Sequence, residues 1–194
     1  MNTHYIKRQA QKGFTLVELL IVVIILAILA AIVVPQFASS TDDAKMASLK
    51  SNLANMRSAI DLYYQQHSAY PGAKVATGGT CPAGGAAPAA GAVGSEAFMA
   101  QMTLFTNANG QACTKSDSDF KYGPYLKTAQ IPENPITNSD DLDIGGTGVL
   151  GMIGVADPFA TSPAKAWKFD YVTGQYIVND NRAIPGSTAK YDEL

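Results

Sequence analysis

The chain has 194 residues, with 14 Lys and Arg against 16 Asp and Glu, a formal charge of −2 and a pI near 5.6. That length allows one domain with an appendage and excludes a large multidomain enzyme; the near-neutral charge argues against a dedicated nucleic-acid binder, which would carry a basic face. Charged residues make up 15%, below the roughly 25% usual in soluble domains, and the shortfall is concentrated in one stretch.

Residues 1–13 contain Lys7, Arg8 and Lys12 and no acid. Residues 14–34 are apolar except for Thr15 and Glu18, and 19–34 hold nothing but Leu, Ile, Val and Ala. As a helix, these 21 residues would span roughly 31 Å, enough to cross a hydrocarbon core. The cationic flank keeps the N-terminus cytoplasmic and places everything after Pro35 across the membrane. A secretory signal peptide would have an apolar region of roughly 7–15 residues and then a small-residue cleavage site, which Ala30, Ala31 and the residues near Ser39 could supply. A plain single-pass anchor fits the hydropathy equally well. Neither accounts for Glu18, a carboxylate one turn inside the span, where a lone charge is costly. It calls for a partner, and no other residue of the span is expected to provide one.

The string Gly13-Phe14-Thr15-Leu16-Val17-Glu18-Leu19-Leu20, behind a short basic leader and ahead of an apolar helix, resembles the type IV prepilin and pseudopilin family. The resemblance implies that an aspartic peptidase of the inner membrane cuts between Gly13 and Phe14 on the cytoplasmic side. It also implies that Phe14 becomes N-methylphenylalanine. The cut creates an ammonium on Phe14, and Glu18, four residues on, could meet such a group in its own chain or in a neighbour. Opposite charges in low-dielectric surroundings attract strongly. In this family the carboxylate is thought to pair with an adjacent subunit's N-terminus and set register during assembly, so Glu18 reads as a docking residue. A carboxylate snorkelling to the interface is the plainer alternative.

Pro35 follows the apolar run, and proline tends to kink or locally melt a helix; family members often carry proline there, with the helix resuming after it. Met46, Leu49, Leu53, Met56, Ile60 and Tyr63 recur at helical spacing, with Asp42, Asp43, Lys45, Lys50, Arg57 and Asp61 between them, one apolar face and one solvated face. Tyr70-Pro71-Gly72 ends the run. One helix over about 14–66 would be roughly 80 Å long, apolar all round in its first half and striped in its second.

Residues 72–94 hold seven Gly and eight Ala in 23 positions, which predicts a loop of low intrinsic order. Cys81 lies inside it and Cys113 follows 32 residues later. On the exported side disulfides persist, so a Cys81–Cys113 bond is expected; two unpaired thiols are the alternative, and without a His partner the pair makes no zinc site. Residues 95–105 read as a short helix with Ser95 as N-cap and Phe98, Met102 and Phe105 on one side. Tyr122-Gly123-Pro124-Tyr125-Leu126-Lys127 and Ile131-Pro132-Glu133-Asn134-Pro135 resemble the heads of major pseudopilins and related pilins; otherwise they are a proline-rich surface connection. Residues 148–153 are a candidate strand. Residues 167–171 and 175–179 flank Thr173-Gly174 as an antiparallel hairpin, which resembles the final hairpin of pseudopilin heads.

The expected fold is therefore α+β and pilin-like: a leader at 1–13, a transmembrane and assembly half-helix at 14–34, and an amphipathic half at 35–70. The head at 71–194 would pack a small antiparallel sheet on the helical stripe. Asp140, Asp141 and Asp143 beside Asn138 and Ser139 offer oxygens of the kind Ca²⁺ takes, and the resemblance implies calcium in a loop of the head. These positions do not match that site residue by residue and the spacing is no EF-hand, so a solvated acidic turn is the stronger reading and no cofactor is assigned. His4 and His67 stand without catalytic partners, and there is no nucleophile elbow, P-loop or HExxH, so an enzyme is not expected.

Removal of 1–13 leaves 11 basic against 16 acidic residues, a net −5, so nucleic acid is a poor partner. The partners implied are membrane lipid, the prepilin peptidase, an inner-membrane assembly platform, minor pilins or pseudopilins, and further copies of the chain in a helical homopolymer. Two uses stay open. The GPYL pattern and terminal hairpin favour a type II secretion major pseudopilin, whose periplasmic pseudopilus drives protein export. The Gly/Ala loop and the cysteines favour a type IV pilin in a surface fibre for adhesion, motility or DNA uptake. The rival of another class is an exported binding protein or enzyme on an uncleaved anchor.

Overall fold

The computed structural model describes residues 14–89, 91–128, 130–146, 166–180 and 182–194, with the backbone alone for 34–39. The leader, Gly13 included, and the candidate strand at 148–153 lie outside the described residues. The chain divides between Ala44 and Lys45 into two compact units, each described by itself.

Helix α1, Leu16–His67, contributes to both. In the first unit the window Leu16–Val33 has a mean hydropathy of 3.3, and none of it is buried among the described residues. It is long and apolar enough to cross a membrane. The helical assignment runs unbroken through Pro35, so the backbone does not melt there.

In the second unit, α1 presents Leu49, Leu53, Met56, Ile60 and Tyr63, all fully buried. This is the stripe the spacing predicts, except that Met46 is only half-buried. Packed on it are α2, Ser95–Thr103, and a three-stranded sheet of β3 (Leu142–Gly145), β4 (Trp167–Asp170) and β5 (Tyr176–Val178). Two short strands, β1 (Phe105–Thr106) and β2 (Ala112–Cys113), pair antiparallel beside them, and a 3₁₀ turn, Tyr191–Glu193, closes the chain. Trp167, Phe169 and Tyr176 line the core face, Phe169 meeting Phe98 of α2 at 5.1 Å between ring centroids.

The β4–β5 hairpin forms as the sequence predicts, with Trp167 opposite Val178 and Phe169 opposite Tyr176. Its turn needs Gly174, at φ +77°, because a Cβ there would also sit 2.1 Å from the Tyr70 ring. The sheet is not all antiparallel, however. β3 runs parallel to β4, with Leu142 opposite Trp167 and Gly145 opposite Asp170. Parallel neighbours need a long connection, and residues 146–166 supply one. The acidic stretch expected to be a solvated turn thus contains a strand. Ser95 also proves to be the first residue of α2, with Gly94 (φ +102°) at the N-cap position and no side chain capping it.

The Gly/Ala loop is tied down more firmly than its composition suggests. Gln101 of α2 is wholly buried and holds its base: its Oε1 accepts from the Gly72 N–H at 2.7 Å, and its Nε2 donates to the Lys74 and Gly110 carbonyls at 2.9 and 2.8 Å. The GPYL segment is likewise more than a surface connection, since the Tyr125 and Leu126 N–H groups both donate to the Met102 carbonyl near the end of α2. Asn134, also wholly buried, donates from Nδ2 to the Ala166 carbonyl, while Trp167 Nε1 donates to that of Pro132.

Replacing Gln101 by Leu keeps most of its volume and strands three backbone groups. The expected cost is roughly 3–5 kcal/mol, lowering the melting midpoint of the detergent-solubilised chain by about 10 °C. A shift under about 2 °C would show that water takes over the clamp.

Candidate processing and assembly site

Phe14 precedes the first turn of α1 and is 87% exposed. Thr15 stands at the N-cap and Glu18 at the third helical position. The Glu18 N–H donates to Thr15 Oγ1 at 3.2 Å, while the Thr15 N–H and Oγ1–H donate to Glu18 Oε2 at 2.9 and 2.7 Å. This is a capping box, which satisfies orphan amide donors of the first turn reciprocally and sets a negative charge at the positive end of the helix dipole.

The expectation that Glu18 has no partner within the span is therefore corrected: Thr15 is its partner. The pattern Thr-x-x-Glu ahead of an apolar run was the signal that could have found it. Both donors converge on Oε2, and Oε1 has no partner among the described residues.

The two cysteines are joined, with Cα atoms 5.8 Å apart, so the bond fastens the 72–94 loop to β2. Around it the Ala86 N–H donates to Thr114 Oγ1, the Thr114 N–H donates to the Ala86 carbonyl, and Lys115 Nζ reaches the Ala83 carbonyl.

Asp140 and Asp141 are exposed, and the Asp141 carbonyl is occupied by the Ala166 and Trp167 N–H groups. Asp143 lies in β3 in register with Lys168. Among the described residues no three His, Cys, Asp or Glu side chains converge as metal ligands. His67 is buried at the end of α1, while His4 lies outside the described residues.

Residues 8–34 match the family model of the prokaryotic N-terminal methylation motif. Its N-terminal segment is of the prepilin type. The chain is similar to the type II secretion system core protein G of Pseudomonas aeruginosa, 44% identical over 68 residues, which is 35% of this chain and 48% of that protein. The core protein G of Klebsiella michiganensis is 40% identical over 65 residues, 34% of this chain and 46% of the relative. The fimbrial protein of Neisseria meningitidis serogroup B is 38% identical over 68 residues, 35% of this chain and 40% of the relative. The chain thus spans less than half the length of these curated relatives, and no solved structure matches it.

Two outcomes test this geometry. Thr15→Val removes the hydroxyl that closes the prepilin capping box, at a cost of about 1 kcal/mol; in micelles the Glu18 amide should exchange about fivefold faster, and an unchanged rate would mean that the box does not hold the helix start. Cys81→Ser with Cys113→Ser opens the 32-residue link and should lower head stability by roughly 3–4 kcal/mol in the chain-entropy model, read by denaturant midpoint against the intact protein.

Proposed function

We propose that this chain is the structural subunit of a type IV pilus-like filament, made as an anchored precursor and used as a type II secretion major pseudopilin. One observation carries the reading. The methylation motif over 8–34 coincides with the start of a helix whose apolar window Leu16–Val33 is unburied among the described residues. Such a surface must be met by lipid and then by other helices. The similarity to core proteins G favours the secretion use.

In this reading a prepilin peptidase cuts between Gly13 and Phe14, Phe14 is N-methylated, and the subunit waits in the inner membrane with its head on the exported side. An assembly platform and minor pseudopilins then lift it into a periplasmic filament. Glu18 contributes its second oxygen, Oε1, to the ammonium of a neighbour's Phe14 while Oε2 stays on Thr15. The contribution is electrostatic and positional; no bond is made or broken by this chain, and we assign it no catalytic role. A type IV pilin in a surface fibre is the second reading, favoured by the similarity to a fimbrial protein and by the disulfide that staples the exposed loop.

N-terminal mass spectrometry of the membrane-extracted protein should find a chain starting at methylated Phe14; an intact Met1 or a start near Ser39 would overturn the reading. Glu18→Ala should leave a folded, membrane-held subunit that is depleted from filaments about tenfold or more, whereas a tethered binding protein would be indifferent to the change. A deletion strain that loses secretion but keeps surface fibres assigns the pseudopilus, and the reverse assigns the pilus.

A further inference from the structure

Asn109 is the one asparagine in the sequence that is followed by glycine. It lies on the turn, residues 107–111, that joins β1 to β2. Its side chain is exposed, and its carboxamide has no hydrogen-bond partner among the described residues. The backbone around it is held, by contrast. The Asn109 and Gln111 N–H groups donate to Asn107 Oδ1 at 3.0 and 3.1 Å. The Gly110 N–H donates to the Asn107 carbonyl at 2.9 Å, and the Asn107 N–H donates to the Gln111 carbonyl at 3.0 Å. From the core side, Gln101 Nε2 donates to the Gly110 carbonyl. Gly110 is buried at φ +81°, and a Cβ there would sit 2.7 Å from Tyr63 Oη, so the turn requires glycine at this place.

An asparagine before a glycine has a reaction of its own. The glycine nitrogen gives up its proton to solvent base and attacks the asparagine Cγ. A C–N bond forms, the Cγ–Nδ2 bond breaks, and Nδ2 leaves as ammonia with a proton taken from water. Water then opens the five-membered imide at either carbonyl, giving aspartate or isoaspartate, with no change of oxidation state. Glycine presents no Cβ to obstruct the closing nitrogen. Other described asparagines are less well placed. Asn134 precedes Pro135, which has no N–H to lose. Asn52 and Asn55 lie within α1, where the following amide is committed to the helix. Asn107 is buried with its carboxamide bonded, while Asn138 and Asn179 precede Ser139 and Asp180. We propose that Asn109 is a self-modification site of this chain: attack by the Gly110 nitrogen converts it to aspartate or isoaspartate, at a rate metered by opening of the 107–111 turn.

Two effects oppose each other at this turn. The free carboxamide and the bare glycine favour closure of the imide. The Gly110 N–H, buried and bonded to the Asn107 carbonyl, resists it, because its proton must first reach solvent. The second effect sets the rate in the folded chain, since a bonded amide reacts only in the fraction of molecules whose turn has opened. The product acts through its backbone. Isoaspartate inserts a methylene into the main chain between 109 and 110, inside a turn fixed at both ends by Asn107. The Gly110 carbonyl then loses its register with Gln101, the side chain that also holds Gly72 and Lys74 at the base of the 72–94 loop. A surface reaction thereby loosens that loop, and either product adds one negative charge to the head.

Incubation of the full chain in micelles at mildly alkaline pH, mapped at intervals by peptide mass spectrometry, tests this. Asn109 should be the first asparagine to deamidate, with isoaspartate among the products. The same chain with its head unfolded in urea should react at Asn109 about tenfold or more faster than the folded chain. Gln101→Leu releases the Gly110 carbonyl and should speed the folded reaction about threefold or more. In the isoaspartyl fraction of the unmodified sequence, the Gly72 amide should exchange about tenfold faster than before the reaction. Earlier deamidation at another asparagine, or equal rates at Asn109 in the folded and unfolded chains, overturns the proposal. Should Gln101→Leu fail to fold, the comparison of folded with urea-unfolded chain decides without it.

Discussion

A carboxylate inside a helix that is otherwise apolar must be answered, and the N-terminal segment is arranged around that requirement. Thr15 answers half of Glu18: two donors reach Oε2, and the glutamate's own amide is returned to Thr15 Oγ1. The other oxygen has no partner among the described residues. Position matters as much as charge, because only a residue at the third helical position can close a box with the N-cap while keeping one oxygen clear. Moving the acid by one residue in either direction would break the box and rotate the charge to another side of the helix. The same local device makes the charge tolerable before any neighbour arrives.

The second half of α1 obeys a different constraint. Its apolar residues are confined to one face, and the head is the body that covers them. Leu49, Leu53, Met56, Ile60 and Tyr63 meet Phe98, Met102, Trp167, Phe169 and Tyr176, so helix, α2 and sheet share one core. The same helix carries His67 one turn beyond the last hydrophobic contact, and there the contact changes from packing to hydrogen bonding.

What could be read from the sequence follows from the range of the forces involved. The helical stripe and the β4–β5 hairpin depend on neighbours a few residues apart, so Ile60 and Tyr63, or Phe169 and Tyr176, could be placed by periodicity alone. β3 could not, because Leu142–Gly145 is a strand only by virtue of pairing with Trp167–Asp170 across a long connection, and its Asp143 reads as turn chemistry in isolation. Gln101 and Asn134 were invisible for a related reason: each is a polar residue whose partners are backbone groups far along the chain, and composition carries no trace of them. At the N-terminus the methylation motif over 8–34 is legible, whereas the cap made by Thr15 is not, because a single hydroxyl there reads as an interruption of the apolar run.

The loop at 72–94 is held at its base by Gln101 and at its middle by the link to Cys113, with residues 82–89 projecting between these anchors. Gly84 at φ +74° and Gly85, where a Cβ would sit 2.9 Å from Cys113 Sγ, are constrained, while the Ala83, Ala87 and Ala89 side chains are exposed. Surface chemistry at those three alanines can therefore drift with little energetic consequence. Substitution at those positions would change the face of the head while the scaffold beneath stays fixed.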